Sequence, residues 1–206
     1  MNLIISYGLS LMSLFLCLNQ KLMGQCTSLP CNDTEIMDAD ANEIVQGSYG
    51  KSRPMGLSGE HFYTVFATER NKAMTNYNYK NEGIACYVYS KRLGKSKPLY
   101  RLLSKGNNAG DHFYTTSVSE GNNAIKQHNY VYEGISCYIF DTQEEGVTVP
   151  LYRLLSNKIG DHFYTTSIDE KNAALRTGNY IFEGIAGYVF NTSQPNTTPL
   201  YRLLCK

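Results

Sequence analysis

The sequence predicts a β-rich α+β fold: three β-β-α-β units of about fifty residues, closed into a pseudo-threefold ring that is trefoil-like or propeller-like. Three observations predict it. First, two words recur in the same order: Pro98-Leu-Tyr-Arg-Leu-Leu103 precedes Gly110-Asp-His-Phe-Tyr-Thr-Thr116, and Pro150-Leu-Tyr-Arg-Leu-Leu155 precedes Gly160-Asp-His-Phe-Tyr-Thr-Thr166. Second, the spacing is regular, 51 residues from His61 to His112 and 50 from His112 to His162. Third, the first unit carries Gly59-Glu-His-Phe-Tyr-Thr64 but lacks the leading word, which appears instead at the C-terminus as Pro199-Leu-Tyr-Arg-Leu-Leu204. A strand supplied from the far end of the chain would complete the first unit and remove a free sheet edge.

In chain order, Asn2 to Leu18 is an apolar run with no charge before Lys21, too short for a membrane span, and Gly24 offers a small residue for cleavage; residues 1–24 therefore read as a signal peptide. That places the protein outside the cell, with no membrane span. Removing this segment takes Lys21 away and leaves 18 basic against 18 acidic residues, which excludes a basic field for nucleic acid. Residues 25–50 hold Asp33, Glu35, Asp38, Asp40 and Glu43 with no Lys or Arg, and read as an acidic leader. Residues 51–206 form the single repeat domain, with units at about 51–97, 98–149 and 150–198 and a closing strand at 199–204.

Within each unit the elements follow from pattern. Leu99, Arg101 and Leu103 alternate with Tyr100 and Leu102, and Phe113 alternates with His112 and Tyr114, the period of strands. Ser117-Val-Ser-Glu120 and Ser167-Ile-Asp-Glu170 match the capping box that opens a helix, whereas the first unit has Phe66 in place of the serine and should start its helix less firmly. Ala124 with Ile125, and Ala174 with Leu175, supply the buried stripe. Asn78-Tyr79, Asn129-Tyr130 and Asn179-Tyr180 end the helices, and Glu-Gly-Ile opens the last strand of each unit.

These words resemble a family of secreted repeat domains of unknown function, whose units read Pro-Leu-Tyr-Arg, His-Phe-Tyr-Thr-Thr and Tyr-Glu-Gly-Ile-Ala-Gly-Tyr-Val. The resemblance covers residues 54–204; Ile181-Phe-Glu-Gly-Ile-Ala-Gly-Tyr-Val189 is nearest to the last word, and Asn81 departs from it where Tyr132 and Phe182 stand. Such modules often accompany extracellular hydrolases, so the resemblance implies an accessory, lectin-like role, and it brings no catalytic residues.

The polar residues present in every unit are the binding candidates: Arg101, Arg153 and Arg202; His61, His112 and His162; Glu82, Glu133 and Glu183; and Glu60, Asp111 and Asp161 beside the histidines. Arg and carboxylate next to Tyr suit a sugar, which needs bidentate hydrogen bonds and an aromatic face. The same residues would equally serve as a polar network that locks each unit, with His bonded to backbone. Three histidines meeting at an axis would be a zinc site, a third reading, although no metal or other cofactor is expected. An enzyme is disfavoured, since catalytic sites are asymmetric and everything distinctive here is triplicate. The expected partners are extracellular glycans or glycoproteins.

Cys17 leaves with the signal peptide, and Cys26, Cys31, Cys86, Cys137 and Cys205 remain, an odd number that allows a disulfide-linked dimer. Cys86 and Cys137 occupy equivalent positions and could pair, and Cys205 could tie the closing strand to Cys26 or Cys31. Asn32, Asn191 and Asn196 each head a glycan acceptor triplet.

Overall fold

The computed structural model describes residues 59–105 and 110–206. The predicted signal peptide and acidic leader, with Cys26, Cys31 and Asn32, lie outside the described residues. The elements are β1 (His61–Thr64), α1 (Ala67–Asn76), β2 (Tyr79–Tyr89), β3 (Lys97–Ser104), β4 (His112–Thr115), α2 (Val118–His128), β5 (Tyr130–Ile139), β6 (Val149–Ser156), β7 (Asp161–Thr165), α3 (Ile168–Arg176), β8 (Tyr180–Val189) and β9 (Thr197–Cys205).

The strands do not form the expected ring of three β-β-α-β units. They are divided unequally into a six-stranded antiparallel sheet, in the order β1-β9-β2-β5-β3-β4, and a three-stranded one, β7-β6-β8. The reason lies in where backbone ladders run. β2 and β5 pair at Tyr89 and Tyr138, which fuses the strands around them into one sheet, whereas the segment of β8 and the residue after it meets that sheet only through single bridges, Tyr87 with Phe190 and Phe140 with Tyr188. Recurrence in sequence therefore does not set sheet membership. The C-terminal β9 lies between β1 and β2, pairing His61 with Leu204 on one side and Tyr79 with Cys205 on the other.

Local chemistry explains the helices. Ser117 and Ser167 accept from the backbone N–H groups of Glu120 and Glu170, while Phe66 makes no side-chain cap. The reciprocal half of the capping box is absent. The Ser117 and Ser167 N–H groups donate instead to Thr115 and Thr165 Oγ1, which leaves the glutamate carboxylates available elsewhere. α2 ends at Asn129 in the left-handed conformation, φ 57°, which asparagine tolerates.

Glu-Gly does not open the last strand but bulges it. Arg101, Arg153 and Arg202 sit opposite Gly134, Gly184 and Gly83, and the next residues, Leu102, Leu154 and Leu203, sit opposite Tyr132, Phe182 and Asn81. One residue is left over each time: Glu133, Glu183 and Glu82. Gly134 and Gly184 hold φ of 121° and 129°, a region closed to other residues, so the bulge turns each glutamate toward the neighbouring arginine.

The largest core cluster joins Tyr63, Cys86, Val88, Leu99, Tyr114, Cys137, Ile139, Leu151, Tyr164, Val189 and Leu200. At its centre three tyrosines from the edge strands β1, β4 and β7 form a closed cycle. Each hydroxyl bonds both backbone groups of the next tyrosine: that of Tyr114 donates to Tyr63 C=O at 2.8 Å and accepts from Tyr63 N–H at 3.0 Å. Tyr63 does the same to Tyr164, and Tyr164 to Tyr114, over 2.8–2.9 Å. Their rings pack edge to face with centroids 5.5–5.6 Å apart. The phenols thus satisfy the open edges of three strands.

Cys86 and Cys137 stand in this core as free thiols, so the disulfide expected between them is not formed. Burial pushes the Cys86 thiol up to about 12 and also raises that of Cys137. Gly187 takes the equivalent place in β8 because a Cβ there would lie 2.8 Å from the Phe140 carbonyl oxygen. Cys205 is buried against Phe62 and Leu203, and its expected partners lie outside the described residues. Asn191 and Asn196 are exposed in the turn between β8 and β9. Among the described residues no helix is long and apolar enough to cross a membrane.

Candidate functional site

Every arginine of the repeated words projects from the middle strand of a trio and meets two carboxylates. Arg153, on β6, forks onto Glu120 of α2, Nη1 to Oε2 at 3.0 Å and Nη2 to Oε1 at 2.7 Å. Its Nε lies 3.0 Å from Glu183 Oε2, an ion-pair contact rather than a well-directed hydrogen bond. Arg101 repeats this with Glu69 and Glu133, and Arg202 with Glu170 and Glu82. Planar guanidinium on carboxylate in this bidentate form is the strongest of the side-chain pairings available. Each guanidinium also covers a phenylalanine ring: Arg101 over Phe62, Arg153 over Phe113 and Arg202 over Phe163, at 5.4, 5.1 and 5.3 Å.

The histidines are held by carboxylates, not by backbone. His162 on β7 has both its N–H and its Nδ1 on Asp111, at 2.8 and 2.7 Å, and its Nε2 3.4 Å from Glu183. His61 binds Asp161 in the same two ways and His112 binds Glu60. Tyr79, Tyr130 and Tyr180 hydroxyls donate to Glu60, Asp111 and Asp161 respectively. The three imidazoles are thereby anchored on three separate carboxylates instead of converging, so the zinc reading fails. Among the described residues no group of three or more His, Cys, Asp or Glu side chains is placed to hold a metal ion. Burial disfavours a charged His162, but Asp111 and Glu183 more than offset it and raise its pKa to about 9. Burial likewise opposes charge on Glu120 and Glu183, and Arg153 with its neighbours wins, holding both below the usual carboxylate range.

The three clusters differ in access. The side chains of Arg101 and Glu69 are 4% and 0% exposed, a closed pair, while Arg153 with Glu120 reaches 13% and 38%, and Arg202 with Glu170 reaches 16% and 38%. The expectation of three equivalent sites is thus corrected at the first. Beside Arg153 opens a pocket of about 450 Å³, between α2 on one side and β6, β7 and β8 on the other. Phe113, Tyr130 and Leu155 give it apolar surface, and Glu120, Asn123, His128, Arg153, His162 and Glu183 give it polar groups.

The candidate residues Arg153, His162, Glu183 and Asp111 are brought together here; Arg202, His61, Asp161 and Glu82 gather in a second cluster, and Arg101, His112 and Glu133 in the buried one. The sequence reading missed Glu69, Glu120 and Glu170 as arginine partners, having assigned the last two to helix caps. Their recurrence at 51 and 50 residues, in step with the histidines, carried that information. Asn123, and His128, which belongs to no repeated site, also line the pocket and have no counterparts of their own type: Lys72 and Tyr77, or Ala173 and Gly178, stand at those positions.

No curated protein and no solved structure matches the chain. A family model described as a domain of unknown function, DUF5648, matches twice, over residues 55–140 and 107–206, an overlap that reflects the internal repeat. Together the two matches span most of the chain, and the chain belongs to that family.

Proposed function

We propose that this protein is a secreted, non-enzymatic binding module that recognises extracellular glycans weakly, in the manner of a lectin. The observation that carries this reading is the lining of the pocket beside Arg153, where the Phe113 and Tyr130 rings adjoin two carboxylates, a guanidinium and two imidazoles. Sugars combine an apolar ring face with a rim of hydroxyls, and such a lining answers both. The arginine, glutamate and histidine are bonded to one another before any ligand arrives, so they present a rigid surface that loses little entropy on binding. Arg202 with Glu170 and Glu82 is the second exposed cluster, and two weak sites on one chain would gain by avidity on a polymeric ligand. A glycan array probed with the purified chain tests the reading: binding to a defined set of glycans, weakened by substitution of the exposed pocket residue in Asn123→Ala, is expected. Absence of binding at high protein concentration would sink it.

A second reading, an extracellular protein-interaction scaffold, is favoured by the apolar side chains exposed along β8. Ile181, Phe182 and Ile185 are each close to half exposed on an edge strand. Sedimentation velocity with and without reductant distinguishes the two, since a scaffold working as a disulfide-linked dimer would halve in mass on reduction.

A further inference from the structure

Within the pocket beside Arg153, most polar capacity is already used. The guanidinium donates to Glu120 through both terminal nitrogens and faces Glu183 through Nε. His162 directs its two ring nitrogens at Asp111 and Glu183. Both cations are thus turned toward carboxylates of the protein itself. The carboxylates do have acceptors left: a carboxylate offers about four lone-pair directions, and Glu120, 38% exposed, and Glu183, 23% exposed, use only part of them. Electrostatics lean the same way, because three carboxylates, Glu120, Glu183 and Asp111, face two cations, Arg153 and His162.

A ligand carboxylate or phosphate would meet this excess of negative charge and compete with Glu120 and Glu183 for Arg153, which costs more than the new contact returns. A hydroxyl or an ammonium group adds to the existing network without breaking it. The residues that differ between the repeats lie at the rim. Asn123 and His128 line the pocket, are exposed and are absent from the other two clusters, so they are the groups able to read the rest of the ligand.

We infer that this pocket selects a sugar bearing a free amine over one bearing a carboxylate, with Glu120 and Glu183 receiving the ammonium and Asn123 and His128 as specificity-determining contacts. The inference rests on the glycan-binding reading and names its ligand class. It is tested with the purified full chain and three sugars that share a skeleton and differ in charge: glucosamine, glucose and glucuronic acid. Affinities are measured by chemical-shift titration near neutral pH.

The expected order is glucosamine, then glucose, then glucuronic acid, with at least about tenfold between the first and the last, roughly one charge-assisted hydrogen bond. Replacing Asn123→Ala and His128→Ala together should weaken glucosamine several-fold and leave thermal stability unchanged, since Ala173 and Gly178 stand at those positions in the third repeat. Glucuronic acid binding as tightly as glucosamine would overturn the charge selection and leave sugar binding standing. Glucosamine binding untouched by the double substitution would overturn the assignment to this pocket. No binding of any of the three would overturn both this inference and the glycan reading beneath it.

Discussion

Removing one oxygen from the centre of the molecule should cost a large fraction of its stability. Tyr114→Phe keeps the ring, its edge-to-face contacts and its volume, and deletes only the hydroxyl. That hydroxyl both donates to Tyr63 C=O and accepts from Tyr63 N–H, in a place where Tyr114 is 1% exposed and water has no access. Two backbone groups are orphaned at once. At about 1–3 kcal/mol for each unsatisfied buried group, the substitution should destabilise by roughly 4 kcal/mol, with a range of about 2–6. Against a total of about 5–15 kcal/mol for an ordinary domain, the loss is severe. Urea unfolding followed by circular dichroism measures it, as a lower midpoint at unchanged slope. Tyr152→Phe is the control, because Tyr152 is half-buried, lies outside the cycle and should lose less than about 0.5 kcal/mol. If Tyr114→Phe stays within about 1 kcal/mol of the parent, the cycle is not what holds the three edge strands, and the reasoning fails. The Tyr63→Phe and Tyr114→Phe pair should also cost less than the sum of the singles, since each breaks the same cycle.

Stability should fall on the alkaline side of neutrality. His162 binds its proton more tightly when folded, its pKa raised from an ordinary 6.5 to about 9, so its contribution is complete below 6.5 and lost as pH passes about 9. The loss amounts to about 3 kcal/mol, at about 1.4 kcal/mol for each tenfold gain in proton affinity on folding, and unfolding midpoints of His162→Gln should lack this decline. On the acid side Glu120, Glu170 and Glu183, held low in the folded state, withdraw stability as pH falls through their folded range; Arg153→Met should remove the part due to Glu120 and weaken that of Glu183, and leave that of Glu170, which Arg202 holds. Cys86 and Cys137 should resist maleimide in the native state and react on unfolding, as intact-mass spectra would record; rapid native labelling would contradict their burial. Gly187→Ala should destabilise by about 1–3 kcal/mol through overpacking against the Phe140 carbonyl, measured in the same urea assay.

Much of the site was legible because repetition is a form of internal evidence. Arg101, Arg153, Arg202 and their bulged glutamates recur with the spacing of the histidines, and the structure joins them as arginine, glutamate and histidine clusters. The position of β9 between β1 and β2 is likewise written in the displaced word at Pro199. Sheet membership was not legible. It turns on one pair, Tyr89 with Tyr138, and on bridges as slight as Phe140 with Tyr188, which no residue type specifies. Glu120 shows another limit, for a glutamate three residues after a serine satisfies the capping pattern, and only the competing hydroxyl of Thr115 sends its carboxylate to Arg153 instead. The tyrosine cycle was hidden for a related reason: Tyr63, Tyr114 and Tyr164 lie about fifty residues apart, and nothing local tells a core phenol from a ligand platform.

The placement of β9 bears on how the molecule is made. Its nine residues carry Leu200 and Leu203, both buried, into the gap between two strands that were synthesised far earlier. During translation β1 and β2 must wait, each with an open backbone edge, until β9 has been made and has cleared the ribosome. Until then the nascent chain is exposed to edge-to-edge association at β1 and β2, and this sheet closes by insertion of its latest strand rather than by growing outward from the first.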